Sequence, residues 1–131
     1  MSDTLLIIED NEQNFYMMRF LLEKNGFIVI GAENGREGID KALRHSPRAI
    51  LLDIQLPEMD GYAVAAELKK HGELGDVPII AVTSYAMVGD RERILAAGAT
   101  GYIEKPINPE TFVSEIIGYL PKDLKIQERQ Q

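Results

Sequence analysis

Residues 49–61 read AILLDIQLPEMDG. Four apolar residues, Ala49 to Leu52, run without alternation into a carboxylate, Asp53, before Ile54 resumes the apolar pattern. A continuous run of this length predicts a strand covered on both faces, as in a parallel sheet. Burying a charge there is costly unless something balances it. The fold and the chemistry both turn on what meets Asp53.

Similar runs recur along the chain: TLLII (4–8), FIVIGA (27–32), PIIAVT (78–83) and TGYI (100–103). Helical spacing fills the intervals, with Phe15, Met18 and Leu22 as one stripe and Phe112, Ile116 and Leu120 as another. Asn108-Pro109-Glu110 carries the signals that open a last helix: a capping side chain, a first-turn proline and an acid favoured by the dipole. Five strand–helix units in alternation predict an α/β protein, a parallel sheet with helices on both faces.

The bulk properties fit one domain. The chain has 131 residues, 45% hydrophobic and 27% charged, and no cysteine, which excludes disulfides and thiolate metal sites. A net charge of −7 argues against binding to nucleic acid. The short basic groups Lys69-Lys70-His71 and Arg91/Arg93 are expected on solvent-facing helix surfaces. The apolar stretch Leu5–Ile8 is far too short for a signal peptide or membrane insertion, so a cytoplasmic location is the expectation. The domain is expected over 1–121, with a polar tail at 122–131.

Polar residues gather at the carboxyl ends of the runs. Glu9 and Asp10 follow the first, Asp53 ends the third, Thr83 ends the fourth and Lys105 lies just past the fifth. Open parallel sheets bind ligands at that end, so five scattered residues are expected in one cleft. Two carboxylates about 4 Å apart repel by roughly 4 kcal/mol at an effective dielectric near 20. The cluster therefore calls for a cation, and an all-oxygen set suits Mg²⁺. An aspartate nucleophile beside a metal, an ammonium and a hydroxyl suits phosphoryl transfer.

The segments LLIIEDNEQN, ILLDIQLPEMDGYAV and IIAVTSYAMVGDRERILAAGATGYIEKPI resemble the receiver domain of bacterial response regulators from about residue 4 to 120. Ala86 to Asp90 is similar to stand-alone members and to receivers of hybrid sensor kinases. The resemblance implies a flavodoxin-like fold: a five-stranded parallel sheet in order 2-1-3-4-5, flanked by five helices. It implies that Asp53 accepts phosphate from a histidine kinase or a histidine phosphotransfer protein. Asp10, Asp53 and the backbone carbonyl of Gln55 would bind Mg²⁺ (or Mn²⁺), with Glu9 acting through water. Lys105 would pair with the phosphoryl group, Thr83 would hydrogen-bond it, and Tyr102 would turn inward as the switch. Gln55 and Tyr85 would tune the phosphoryl lifetime, and the Lys105–Pro106 bond is expected to be cis. The face of the fourth helix, fifth strand and fifth helix would meet a downstream target. Ser84, where the family usually has alanine, and Glu9, where aspartate is commoner, are the two departures.

Single residues have blander readings. Glu9-Asp10 could simply cap a helix, Thr83 could be a strand-end residue and Lys105 a solvated lysine. Tyr102 could be core. His45 and His71 are expected at helix ends, where a cation suits the dipole. GAENGREG lacks the GxGxxG spacing of a dinucleotide loop. Two other functions compete. A haloacid-dehalogenase-type phosphatase would need a second aspartate where Gln55 stands, and a phosphorylation-independent module would not need the acids, Thr83 and Lys105. A start at Met1 shortly before the first strand, and an end soon after the fifth helix, are expected of a stand-alone regulator rather than a fragment of a hybrid kinase.

Overall fold

A computed structural model describes residues 3–56, 59–84 and 88–120. The apolar runs become strands β1 (Thr4–Ile8), β2 (Ile28–Ala32), β3 (Ala49–Asp53), β4 (Ile79–Thr83) and β5 (Gly101–Glu104). Between and after them lie α1 (Glu12–Lys24), α2 (Gly35–His45), α3 (Gly61–Lys70), α4 (Val88–Ala96) and α5 (Phe112–Tyr119), with a 3₁₀ turn at Gly72–Leu74. All paired strands are parallel and the order is β2-β1-β3-β4-β5. The expected α/β topology is therefore present. Tyr85 and the tail from 122 lie outside the described residues.

Strand alternation sends side chains to two cores. Leu5, Ile7, Leu51, Ile80 and Val82 pack with Met18 and Leu22 of α1 and Phe112 and Ile116 of α5. Leu6, Ile8, Ile50, Leu52 and Ile79 pack with Ala42 of α2 and Val64, Ala65 and Leu68 of α3. A third, small cluster joins Ile54 and Ala81 to Ile94 of α4. β1, β3 and β4 are covered on both faces, as unbroken apolar runs require. β2 departs from this because it is the sheet edge: Ile28 is 51% exposed. Phe15 is only partly buried against the first core.

Helix starts are set by short polar side chains. Asn11 Oδ1 accepts from Asn14 N, Asn34 Oδ1 from Glu37 N and Asp60 Oδ1 from Ala63 N, each at 2.9 Å. The start of α5 differs from expectation. Asn108 Oδ1 accepts from Glu110 N at 2.9 Å, but residues 109–111 form a turn and the regular helix begins at Phe112. Its backbone carbonyl then receives Phe112 N at 2.9 Å, so the capping residue acts one turn ahead of the helix proper. His45 ends α2 and His71 caps the C-terminus of α3, as their spacing predicts.

Candidate functional site

Glu9, Asp53 and Thr83 are buried, at 3%, 3% and 1% exposure, and they are the buried polar or charged residues described. Glu9 follows β1 directly, and Asp53 and Thr83 are the last residues of β3 and β4. Glu9 and Asp53 continue the alternation of Leu5, Ile7 and Leu51, so both emerge on the α1–α5 side of the sheet. The exposed Asp10 completes the group: one carboxylate oxygen from each of the three acids lies within 4.8 Å of the others.

Lys105 enters this acidic pocket from beyond β5. Its Nζ stands 3.2 Å from Glu9 Oε1 and 3.5 Å from Asp53 Oδ1, with the lysine side chain 14% exposed. The backbone N–H of Gln55 donates to Asp53 Oδ1 at 2.9 Å. Lys105 is placed by its own amide, which donates to Thr83 O at 2.8 Å, and the Lys105–Pro106 bond is cis as expected. One ammonium thus faces two buried carboxylates. The balance of Asp53's charge is partial.

Glu9 bears the strain of that imbalance. Burial, then the nearby charge of Asp53, push its pKa from an ordinary 4.5 up to about 7, against the opposing pull of Lys105 and of Asn11 N–H. Asn11 N donates to Glu9 Oε2 at 3.2 Å, whereas the buried Oε1 receives no aligned hydrogen bond despite its proximity to Lys105. A hard cation would satisfy this oxygen and relieve the repulsion, so the donor set fits Mg²⁺. The helix-capping reading of Glu9-Asp10 is answered locally: Asn11 caps α1, leaving both acids available.

The loop leaving Asp53 must pass close to α3, and Gly61 makes that possible. A Cβ on Gly61 would lie 2.4 Å from Ile54 Cα and 2.9 Å from Asp53 O, too near backbone for any larger residue. Gly61 N also donates to Ile54 O at 2.9 Å. This explains why the stretch after Asp53 closes on Asp60-Gly61: one caps the helix, the other clears the strand.

Tyr102 pairs in register with Ala81, two residues before Thr83 on the same strand, and is half-buried. It therefore shares a sheet face with Thr83. Gln55 is exposed beside Asp53. Sequence reasoning left Arg91 and Arg93 as solvent-facing, and both are exposed, but each guanidinium also lies over a tyrosine ring, Tyr102 and Tyr62 respectively. It also missed a cleft of about 320 Å³ beside Glu9 and Asp10, lined by Glu12, Phe15, Tyr16, Glu33 and Glu37 among others. Asp53 does not line that cleft. No helix among the described residues is long and apolar enough to cross a membrane.

Known proteins share this fold and much of this sequence. The sequence profile of the response regulator receiver domain matches residues 5–117. The polar-differentiation response regulator DivK of Brucella anthropi is 46% identical over 120 residues, covering 92% of this chain and 98% of that protein. Chemotaxis protein CheY4 of Vibrio cholerae superposes with a TM-score of 0.88 at 27% identity, covering 92% of this chain and all of that one. The receiver domain of sensor histidine kinase PA1611 from Pseudomonas aeruginosa, solved with magnesium coordinated in its active-site cleft, has a TM-score of 0.83 at 32% identity, covering 91% and 98%. Receivers of this kind work with histidine kinases and downstream targets in two-component signalling. By profile, sequence and architecture alike, the chain belongs to the response regulator receiver domain family, with a DivK-like sequence.

Proposed function

We propose that Asp53 is the phosphoryl acceptor and that its modification switches the binding of a partner. One observation carries this reading: a buried carboxylate at a strand end, with a second buried acid and an ammonium within 3.5 Å of it or of each other. Asp10, Asp53 and the Gln55 carbonyl would hold Mg²⁺, with Glu9 acting through water. When bound, that ion supplies positive charge to the oxygens of the transferring group. An Asp53 carboxylate oxygen attacks the phosphorus of a partner's phosphohistidine. The P–N bond breaks, an acyl phosphate P–O bond forms, and the histidine nitrogen leaves with the electron pair and takes a proton from solvent.

Lys105 then exchanges its contact with Asp53 for one with a phosphoryl oxygen. Thr83 donates its hydroxyl to another, and Tyr102 turns toward the space that Thr83 vacates. The face of α4, β5 and α5 presents the result to a target protein. Gln55, exposed beside Asp53, and Tyr85 control access of the hydrolytic water and hence the lifetime of the adduct. The domain spans 1–121, with a short polar tail at 122–131, and the protein acts in the cytoplasm as a signalling phospho-acceptor whose only chemistry is transfer to, and loss from, its own aspartate.

The test is incubation with Mg²⁺ and phosphoramidate, and separately with a phosphorylated histidine kinase, followed by intact-mass measurement and release of free phosphate. One labile phosphoryl per chain, absent from Asp53→Asn, is expected. Rapid turnover of unrelated phosphate esters would replace this reading with a hydrolase. No adduct from either donor would leave a passive interaction module.

A further inference from the structure

Among the described residues, helix α4 buries little apolar surface. Ile94 is its one fully buried side chain among the described residues, seated against Ile54 and Ala81. Both neighbours border the acceptor site: Ile54 follows Asp53 directly, and Ala81 lies two residues before Thr83. Arg91 and Arg93 leave the helix on opposite flanks of Ile94, since three residues turn the helix by 300° and one by 100°. Arg93 Cζ stands 4.1 Å from the centre of the Tyr62 ring on α3, and Arg91 Cζ stands 5.2 Å from the centre of the Tyr102 ring on β5. α4 is clasped between two tyrosines, and one of them is the residue assigned above as the switch.

We infer that Arg91 and Arg93 are positioning residues for the switch, Arg91 retaining the Tyr102 ring in the half-buried position it holds here and Arg93 fixing α4 on Tyr62 so that Arg91 can reach it. The inference rests on the proposed role of Tyr102. An inward turn of Tyr102 must give up the Arg91 contact, so that contact belongs to the resting state alone. A contact present in one state biases the equilibrium toward it by its full free energy. The Arg93–Tyr62 contact does not involve the moving ring and acts through the placement of α4. The two contacts should therefore not be independent.

The experiment measures the affinity of beryllofluoride, a mimic of the acyl phosphate, in saturating Mg²⁺. It is read for the wild type, Asp53→Asn, Arg91→Leu, Arg91→Lys, Arg93→Leu and the Arg91→Leu/Arg93→Leu double variant, with Tyr102 followed by ¹⁹F NMR of fluorotyrosine-labelled protein. Arg91→Leu should bind about two- to fivefold more tightly, the scale of an exposed cation–π contact. Arg91→Lys, which keeps the cation, should return to the wild-type value. Arg93→Leu should also tighten binding, yet add nothing once Arg91 is gone. The Tyr102 resonance should shift toward its beryllofluoride-bound position in Arg91→Leu without ligand. Arg91→Leu with unchanged or weaker affinity, or an additive double variant, would overturn the inference while wild-type binding left the acceptor reading intact. A wild type that binds no better than Asp53→Asn would overturn both.

Discussion

At Asp53, a single lysine answers two buried acids. Removing Lys105 leaves both carboxylates without their nearby cation, so Lys105→Met is expected to destabilise the metal-free protein by roughly 3 kcal/mol. Urea unfolding checks this, and the added change Glu9→Gln should recover most of the loss. The raised pKa of Glu9 sets a pH dependence of its own. Between about 4.5 and 7 the folded protein keeps a proton on Glu9 that the unfolded chain releases. Stability of the metal-free protein therefore falls as pH rises through that window. Thermal unfolding should show this slope in the wild type and its disappearance in Glu9→Gln. Divalent cations need the ionised acid, so Mg²⁺ affinity followed by tyrosine fluorescence should climb with pH up to about 7 and level off above it. A flat profile for the wild type would mean that Glu9 is ionised throughout.

At the scale of elements, the end of β3 and the start of α3 approach closely at Gly61. Gly61→Ala forces a methyl group against the backbone of Ile54 and Asp53, and about 1–3 kcal/mol of destabilisation is expected in chemical denaturation. Phosphoryl acceptance should fall with it, because the shift displaces Gln55 and Asp53 together. Asp60→Ala removes only the cap and should cost about 1 kcal/mol with the site intact. Much of this level was legible in the sequence. Unbroken apolar runs marked β1, β3 and β4 because a strand covered on both faces leaves no room for alternation. β2 read equally apolar, yet its edge position depends on strand order, which no local pattern encodes. The start of α5 was misplaced because Asn108 caps a turn as readily as a helix. The positions of the acids, Thr83 and Lys105 were legible since each ends a strand or follows one within two residues. The Arg91–Tyr102 and Arg93–Tyr62 contacts were not, because arginines on an exposed helix face look the same whether or not a ring lies beneath them.

For the whole molecule, the sheet divides two main cores, and a third, small cluster lies under α4. Leu5, Ile7 and Leu51 bury α1 and α5 and lead to Glu9 and Asp53, so the acids inherit a rigid mounting. Among the described residues, α4 meets the sheet through the small cluster of Ile54, Ala81 and Ile94. A cation bound among Glu9, Asp10 and Asp53 favours the folded state by mass action, about 2.7 kcal/mol at a hundredfold excess over its Kd. Melting temperature should accordingly rise with Mg²⁺ and fall back on chelation, with the rise abolished in Asp10→Asn/Asp53→Asn. The amide of Lys105 bonded to Thr83 O has a larger consequence. It bolts the ends of β4 and β5 to one another at the very place where a message must leave the site. Sliding of one strand past the other would have to break that bond as well as the ladder between them. If Asp53 accepts phosphate as proposed, rotation about side-chain bonds is the cheaper route for the signal, like a key turning in a lock whose case stays still.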